Sequence, residues 1–190
     1  MALAININDL LNKQRIESNR IEFKKGWNPG SIYHSICAFA NDFDDLGGGY
    51  IIVGVDTDDK TGMAIRPVEG VPMENIDNIL QEMVGYNNKM APYYLPRTSV
   101  EEVDGKQLIV IWCPAGSYRP YSVPVNVTAK GTKEYFYIRS GTSSIEARGE
   151  VSPSMFGNKS SAYTDGAVSL TAGVTYTFGG KNFISCGAKV

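Results

Sequence analysis

Three carboxylates in the first third of the chain have the types and spacing to do chemistry. Glu17 and Glu22 flank a short stretch in E-S-N-R-I-E-F-K-K, and Asp56 closes the apolar run Tyr50–Val55. Acids brought together from separate elements can hold a divalent cation, Mg²⁺ or Mn²⁺, which activates water for phosphodiester cleavage. Lys24 and Lys25 stand beside them and suit a phosphate. The plainer alternative is that Glu17 and Glu22 are solvated strand-end residues and Asp56 stabilises a turn through its own backbone. A second constellation is basic and aromatic. Lys24, Lys25, Arg119, Arg139 and Arg148 could contact phosphates, with Tyr121, Tyr135 or Tyr137 stacking on bases. Arg139 stands out because it precedes Ser140-Gly141-Thr142, a small-residue turn suited to backbone contact with phosphate. The alternative is scattered surface charge and strand aromatics packed in a core.

Other patterns exclude chemistry. Gly47-Gly48-Gly49 follows a helix and precedes a strand, the reverse of the order a phosphate-binding loop needs, and no G-K-[ST] is present. The triplet reads as a helix terminator. The only histidine, His34, removes His-rich metal sites and weakens a Ser-His-Asp proposal. Cys37, Cys113 and Cys186 are far apart, with no C-x-x-C pair for zinc. An odd, scattered set fits a reducing compartment, and Cys37 reads as a small core residue.

The elements that must position these residues follow from periodicity. Asn8–Gln14 reads as a short helix contacting the core through Leu10 and Leu11. Arg20–Lys24 alternates as a half-buried strand, with Ile21 and Phe23 inward and Glu22 on the other face. Ser31 is the expected N-cap of a helix carrying Ile32, Ile36, Phe39 and Ala40, ended by Gly47–Gly49. Tyr50–Val55 reads as a strand buried on both faces, and Met73–Val84 as an amphipathic helix. Thr98–Val103 and Lys106–Trp112 make a hairpin around Asp104-Gly105; Val125–Ala129 and Glu134–Arg139 make a second around Lys130-Gly131. The class is α+β, a mixed β-sheet flanked by helices.

The composition shifts after Glu150: residues 151–190 hold no glutamate and are rich in Ser, Thr and Gly. Val168–Phe178 alternates as a strand, with Phe183–Cys186 as a hairpin partner around Gly179-Gly180. This sets the domain at 1–150 and a β-rich, hairpin-like C-terminal tail at 151–190. A membrane barrel would need many more such strands and an export signal. With 190 residues, 43% hydrophobic and 20% charged, the chain is long enough for one full core. It has neither a transmembrane-length apolar run nor a signal-peptide pattern, which gives a cytoplasmic expectation without membrane contact. Its net charge of −2, from 18 Lys+Arg and 20 Asp+Glu, confines nucleic-acid contact to a local patch.

Seven pieces, in order over roughly residues 15–148, resemble the AlbA_2 domain, the Schlafen-type divergent AAA domain. They are E-S-N-R-I-E-F-K, S-I-C-A-F-A-N, G-G-G-Y-I-I-V-G-V-D, I-D-N-I-L, V-D-G-K-Q-L-I-V-I, R-P-Y and Y-F-Y-I-R-S-G-T-S-S. The resemblance implies an α+β domain found in bacterial transcriptional regulators, where it is regarded as DNA-binding, and in vertebrate Schlafen proteins. Some Schlafen proteins use it as an RNA-cleaving core with three acids, which Glu17, Glu22 and Asp56 match by motif. The chain departs from the family in two ways. It carries a β-like tail where bacterial members continue into further domains, and it has one lobe where the Schlafen core has two; a homodimer would restore the second. The leading reading is a nucleic-acid-binding regulatory domain, for DNA or RNA, that requires no cofactor. The alternatives are a Mg²⁺- or Mn²⁺-dependent endoribonuclease and a dimerisation or scaffold module.

Overall fold

The computed structural model describes residues 6–13, 18–147, 175–178 and 181–184. Over these the chain is α+β. Helix α1 (Ile7–Lys13) precedes β1 (Ile21–Lys24), α2 (Pro29–Asn41), β2 (Gly49–Val53) and α3 (Met73–Asn87). Then come β3 (Arg97–Val103), β4 (Lys106–Cys113), β5 (Ser122–Pro124), β6 (Glu134–Ser140) and β7 (Ser143–Glu146), and in the tail β8 (Thr175–Phe178) and β9 (Lys181–Ile184).

The first sheet is mixed, with order β1-β2-β4-β3: β1 and β2 run parallel, the other pairs antiparallel. Strands β2 and β4 are central, which is why their side chains form near-continuous apolar runs. A second, antiparallel sheet has order β5-β6-β7. Helix α2 lies between the two sheets, and its Ile32, Ile36 and Phe39 join Ile51, Val53, Ile109 and Ile111 in one core. A smaller core covers the other face of the first sheet, with Leu10 and Leu11 of α1 against Phe23, Ile52, Leu108 and Val110. The hairpin around Asp104-Gly105 forms as expected: φ is 53° and 69° at the two residues, the paired left-handed geometry that an Asp-Gly turn favours.

Four local expectations are corrected. The N-cap of α2 is Asn28, not Ser31: its Oδ1 accepts the Ser31 N–H at 3.3 Å, and Pro29 occupies the first turn, where its missing N–H costs nothing. The helix stops at Asn41, before Gly47–Gly49. Asp42 takes a left-handed φ of 40°, and its carboxylate accepts the N–H groups of Leu46 and Gly47, both at 2.9 Å, which folds the following loop back. The glycines serve the entry to β2 instead: a Cβ on Gly48, at φ +82°, would fall on the Cys113 carbonyl. Strand β1 is buried on both faces, Glu22 included, because β6 covers the side expected to meet water. Finally, β6 pairs with Ser122–Pro124, not with Val125–Ala129. The Asn126 side chain accepts the Thr128 N–H at 3.0 Å and its hydroxyl at 2.7 Å, turning the chain away from the ladder.

In the tail, β8 and β9 form a hairpin in which Phe178 pairs with Lys181. Residues 168–174 and 185–186, the rest of the expected tail strands, lie outside the described residues, as do Glu17 and Arg148. Among the described residues no helix is long and apolar enough to cross a membrane.

Candidate nucleic-acid interface

Glu22 and Arg139 meet between the two sheets. In the ladder Glu22 pairs with Ile51 and so shares the face of β1 that looks toward α2; Arg139 reaches it from β6. The two residues are 6% and 7% exposed, too little for water to solvate either charge. The Arg139 Nη1 donates to Glu22 Oε2 and, at 3.0 Å, to Ser144 Oγ; Nη2 donates to the Ser18 carbonyl at 3.0 Å. The guanidinium also lies 4.8 Å from the Phe39 ring centroid. Glu22 Oε1 is 2.7 Å from Lys24 Nζ. One carboxylate therefore ties β1 to β6, and through Ser144, whose hydroxyl donates to Ser35 at 3.1 Å, to β7 and α2.

Asp56 belongs to a different and exposed cluster. Its Oδ2 accepts from Lys25 Nζ at 2.8 Å and its Oδ1 from the Thr57 N–H at 3.0 Å; Glu69 adds a second carboxylate 3.2 Å from Lys25. The Lys25 hydrogen bond holds the Asp56 carboxyl below its usual range, and the same bond raises the Lys25 ammonium. All four oxygens of Glu22 and Asp56 are thus engaged by lysine, arginine or backbone N–H. Glu17, the third acid of the expected site, lies outside the described residues. Among the described residues no group of three or more His, Cys, Asp or Glu side chains could share an ion.

The remaining candidates fall in two classes. Arg119 clasps the C-terminus of α2: its Nη1 donates to Asp45 Oδ1 at 3.0 Å and to the Asp42 carbonyl at 3.1 Å, with its side chain 8% exposed. A cation there also complements the helix dipole. Tyr121 is buried, edge-on to Tyr94 at 5.3 Å, and its hydroxyl accepts the Tyr118 N–H at 3.1 Å. Tyr137 is stacked on His34 at 4.1 Å, and Tyr135 is half-buried. Lys24 and Lys25, with side chains 24% and 61% exposed, are the accessible pair. The structure brings Glu22, Lys24 and Arg139 together and holds Lys25 and Asp56 in their own pair.

Asn41 is a positioning residue that periodicity does not reveal. Fully buried, it donates to the Tyr121 carbonyl at 2.9 Å and the Tyr137 carbonyl at 2.8 Å, and accepts the Tyr121 N–H at 2.6 Å. It joins the end of α2 to the residue before β5 and to the central strand β6 of the second sheet. A polar residue at the last turn of an otherwise apolar helix is the only sequence sign of it.

The family profile described as Schlafen, AlbA_2 matches residues 17–148. Among solved structures, the N-terminal domain of a RecG-related protein from Nitrosomonas europaea is 28% identical over 68% of this chain and 80% of its own, with a TM-score of 0.48. The DIP2311 protein from Corynebacterium diphtheriae is 20% identical over 68% of this chain and 22% of its own, with a TM-score of 0.44. No curated protein matches the chain. The profile match spans well over half of the 190 residues and runs through every element that builds the Glu22–Arg139 cluster: the chain belongs to the Schlafen AlbA_2 family.

Proposed function

We propose that this domain binds nucleic acid, as a cytoplasmic regulatory module, with Lys24 and Lys25 contacting phosphates along β1, the outer strand of the first sheet. The observation that carries the reading, within the family membership, is how Lys24 is held. Arg139 fixes Glu22, and Glu22 fixes the Lys24 ammonium, on an outer strand next to the exposed Lys25. A phosphate can take the place of Asp56 or Glu69 on Lys25 at little cost, since exposed ion pairs contribute weakly. Arg139 supports this edge from behind, Arg119 and Tyr121 hold the end of α2, and Arg148 adds a further cation on the sequence reading. A homodimer would set two such edges in one assembly.

The test is fluorescence anisotropy with labelled single- and double-stranded DNA and RNA over a salt series. Affinity falls steeply with salt, because bound phosphates release counterions. Lys24→Ala and Lys25→Ala each reduce the salt slope by about one unit, uniformly across sequences. No binding at low salt to any of the four probes removes the reading and leaves the scaffold role.

A further inference from the structure

One row of side chains on the opposite face of the first sheet is unlike the rest of that face. The ladder puts Ile21, Tyr50, Trp112 and Arg97 side by side across β1, β2, β4 and β3. Ile21 is buried in the small core with Phe23, Ile52 and Val110 of the next row inward, and Tyr50 packs partly against that core; the apolar cover thins toward Trp112 and Arg97. Tyr50 and Trp112 are half-exposed and Arg97 is exposed. The Tyr50 and Trp112 rings stand 6.4 Å apart with their planes 16° from parallel, and the Arg97 guanidinium lies 5.4 Å from the Trp112 centroid. Arg97 makes no salt bridge among the described residues, so its charge is uncompensated there. Arg20, beside Ile21, is exposed at the same end of the sheet, with its Nε donating to the Gly48 carbonyl at 3.1 Å.

We infer that the Tyr50–Trp112–Arg97 row is a stacking platform for an unpaired base of a single-stranded nucleic acid. The inference rests on the nucleic-acid reading above and assigns it a second contact, on the other face of the sheet from Glu22. Two near-parallel rings held on neighbouring strands of one sheet can extend their stack to a base at low entropic cost. Single strands are the form whose bases are free to use it, and base–aromatic stacking tolerates any sequence. Charge decides between this occupant and an apolar one. The row ends in an arginine with no salt bridge among the described residues, which suits a phosphate adjoining the stacked base and would be wasted against an apolar peptide or a second copy of the same cationic row. The hairpin register around Asp104-Gly105 pairs Trp112 with Arg97, so half of the platform could be read from the sequence once the strand faces were known.

The experiment uses the full chain carrying Trp27→Phe, which leaves Trp112 as the sole tryptophan. Trp112 emission is titrated with a single-stranded oligonucleotide of about ten residues, within the usual ~4–16-nucleotide site. An abasic oligomer of equal length and a duplex serve as parallel probes. The expected result is quenching by the base-bearing single strand and none by the abasic one. Tyr50→Leu and Trp112→Leu, followed by anisotropy of the labelled oligomer, should each weaken its binding roughly five- to 150-fold and leave the abasic oligomer unaffected. Arg97→Gln, at an exposed position, should weaken both oligomers. Binding by anisotropy with unchanged Trp112 emission overturns the platform and leaves the lysine edge standing; no binding of any probe overturns both. Emission that changes with protein concentration alone overturns the platform in favour of a contact between copies.

Discussion

Replacing Glu22 by Gln asks whether the buried carboxylate is an organiser of the fold. Arg139 would keep its bonds to Ser144 Oγ and the Ser18 carbonyl and its place over Phe39, but lose the only anion that faces it among the described residues. Its Nε already has no partner. Lys24, with its side chain 24% exposed, can turn to water; Arg139, at 6%, cannot. Removing one member of a buried ion pair costs about 3–5 kcal/mol, and the Gln amide oxygen can still accept one bond, which favours the lower end. For a chain of this size each kcal/mol moves the melting temperature by roughly 2–4 °C, so a loss of about 6–12 °C is expected. Arg139→Met should cost less, because Glu22 keeps Lys24 and the new side chain still packs on Phe39. A double-mutant cycle by urea unfolding should therefore give substantial coupling, little changed by 1 M salt, which screens exposed pairs far more than buried ones. A loss below about 1 kcal/mol for Glu22→Gln would refute the reasoning, since that is the value of an exposed pair. The same protein tests the nuclease alternative: Mn²⁺-dependent RNA cleavage that Glu22→Gln abolishes without lowering the melting temperature would make this carboxylate catalytic rather than structural.

Asn41→Ala removes three hydrogen bonds to buried backbone groups, the Tyr121 carbonyl keeping only the weaker Cys37 thiol, and should cost roughly 1–3 kcal/mol, read by guanidinium unfolding; a cost near zero would mean the second sheet does not depend on this bridge. Burial holds the His34 ring below its usual pKa, against the smaller effect of the Val125 carbonyl. The folded state then binds fewer protons than the unfolded chain just below pH 6.5, so stability should fall as pH drops through that window, and His34→Gln should flatten the dependence measured by urea melts. The Cys37 thiol is pushed up to about 12 by burial, so its alkylation at pH 8 should await unfolding, as mass spectrometry of the native protein would show.

Elements whose information is local can be read from the residues alone. Apolar runs in Tyr50–Val53 and Leu108–Ile111 specify central strands wherever they fall, Asp104-Gly105 specifies its turn because few residues tolerate two positive φ angles, and the helical spacing of Ile76, Ile79 and Met83 specifies the buried side of α3. Seven ordered motifs were enough to reach the family. What the sequence left open was every feature set by partners distant along the chain. Glu22 reads as a strand residue facing water until β6, more than a hundred residues later, covers it with Arg139. Arg139 reads as a free phosphate ligand until Glu22, Ser18 and Ser144 are found around it. Arg119 and Tyr121 read as surface groups until α2 is seen to end against them. The physical reason is common to all of these. A charged or polar side chain has no periodicity of its own, and whether it meets water, an ion pair or a backbone carbonyl depends on which strand the tertiary fold lays beside it.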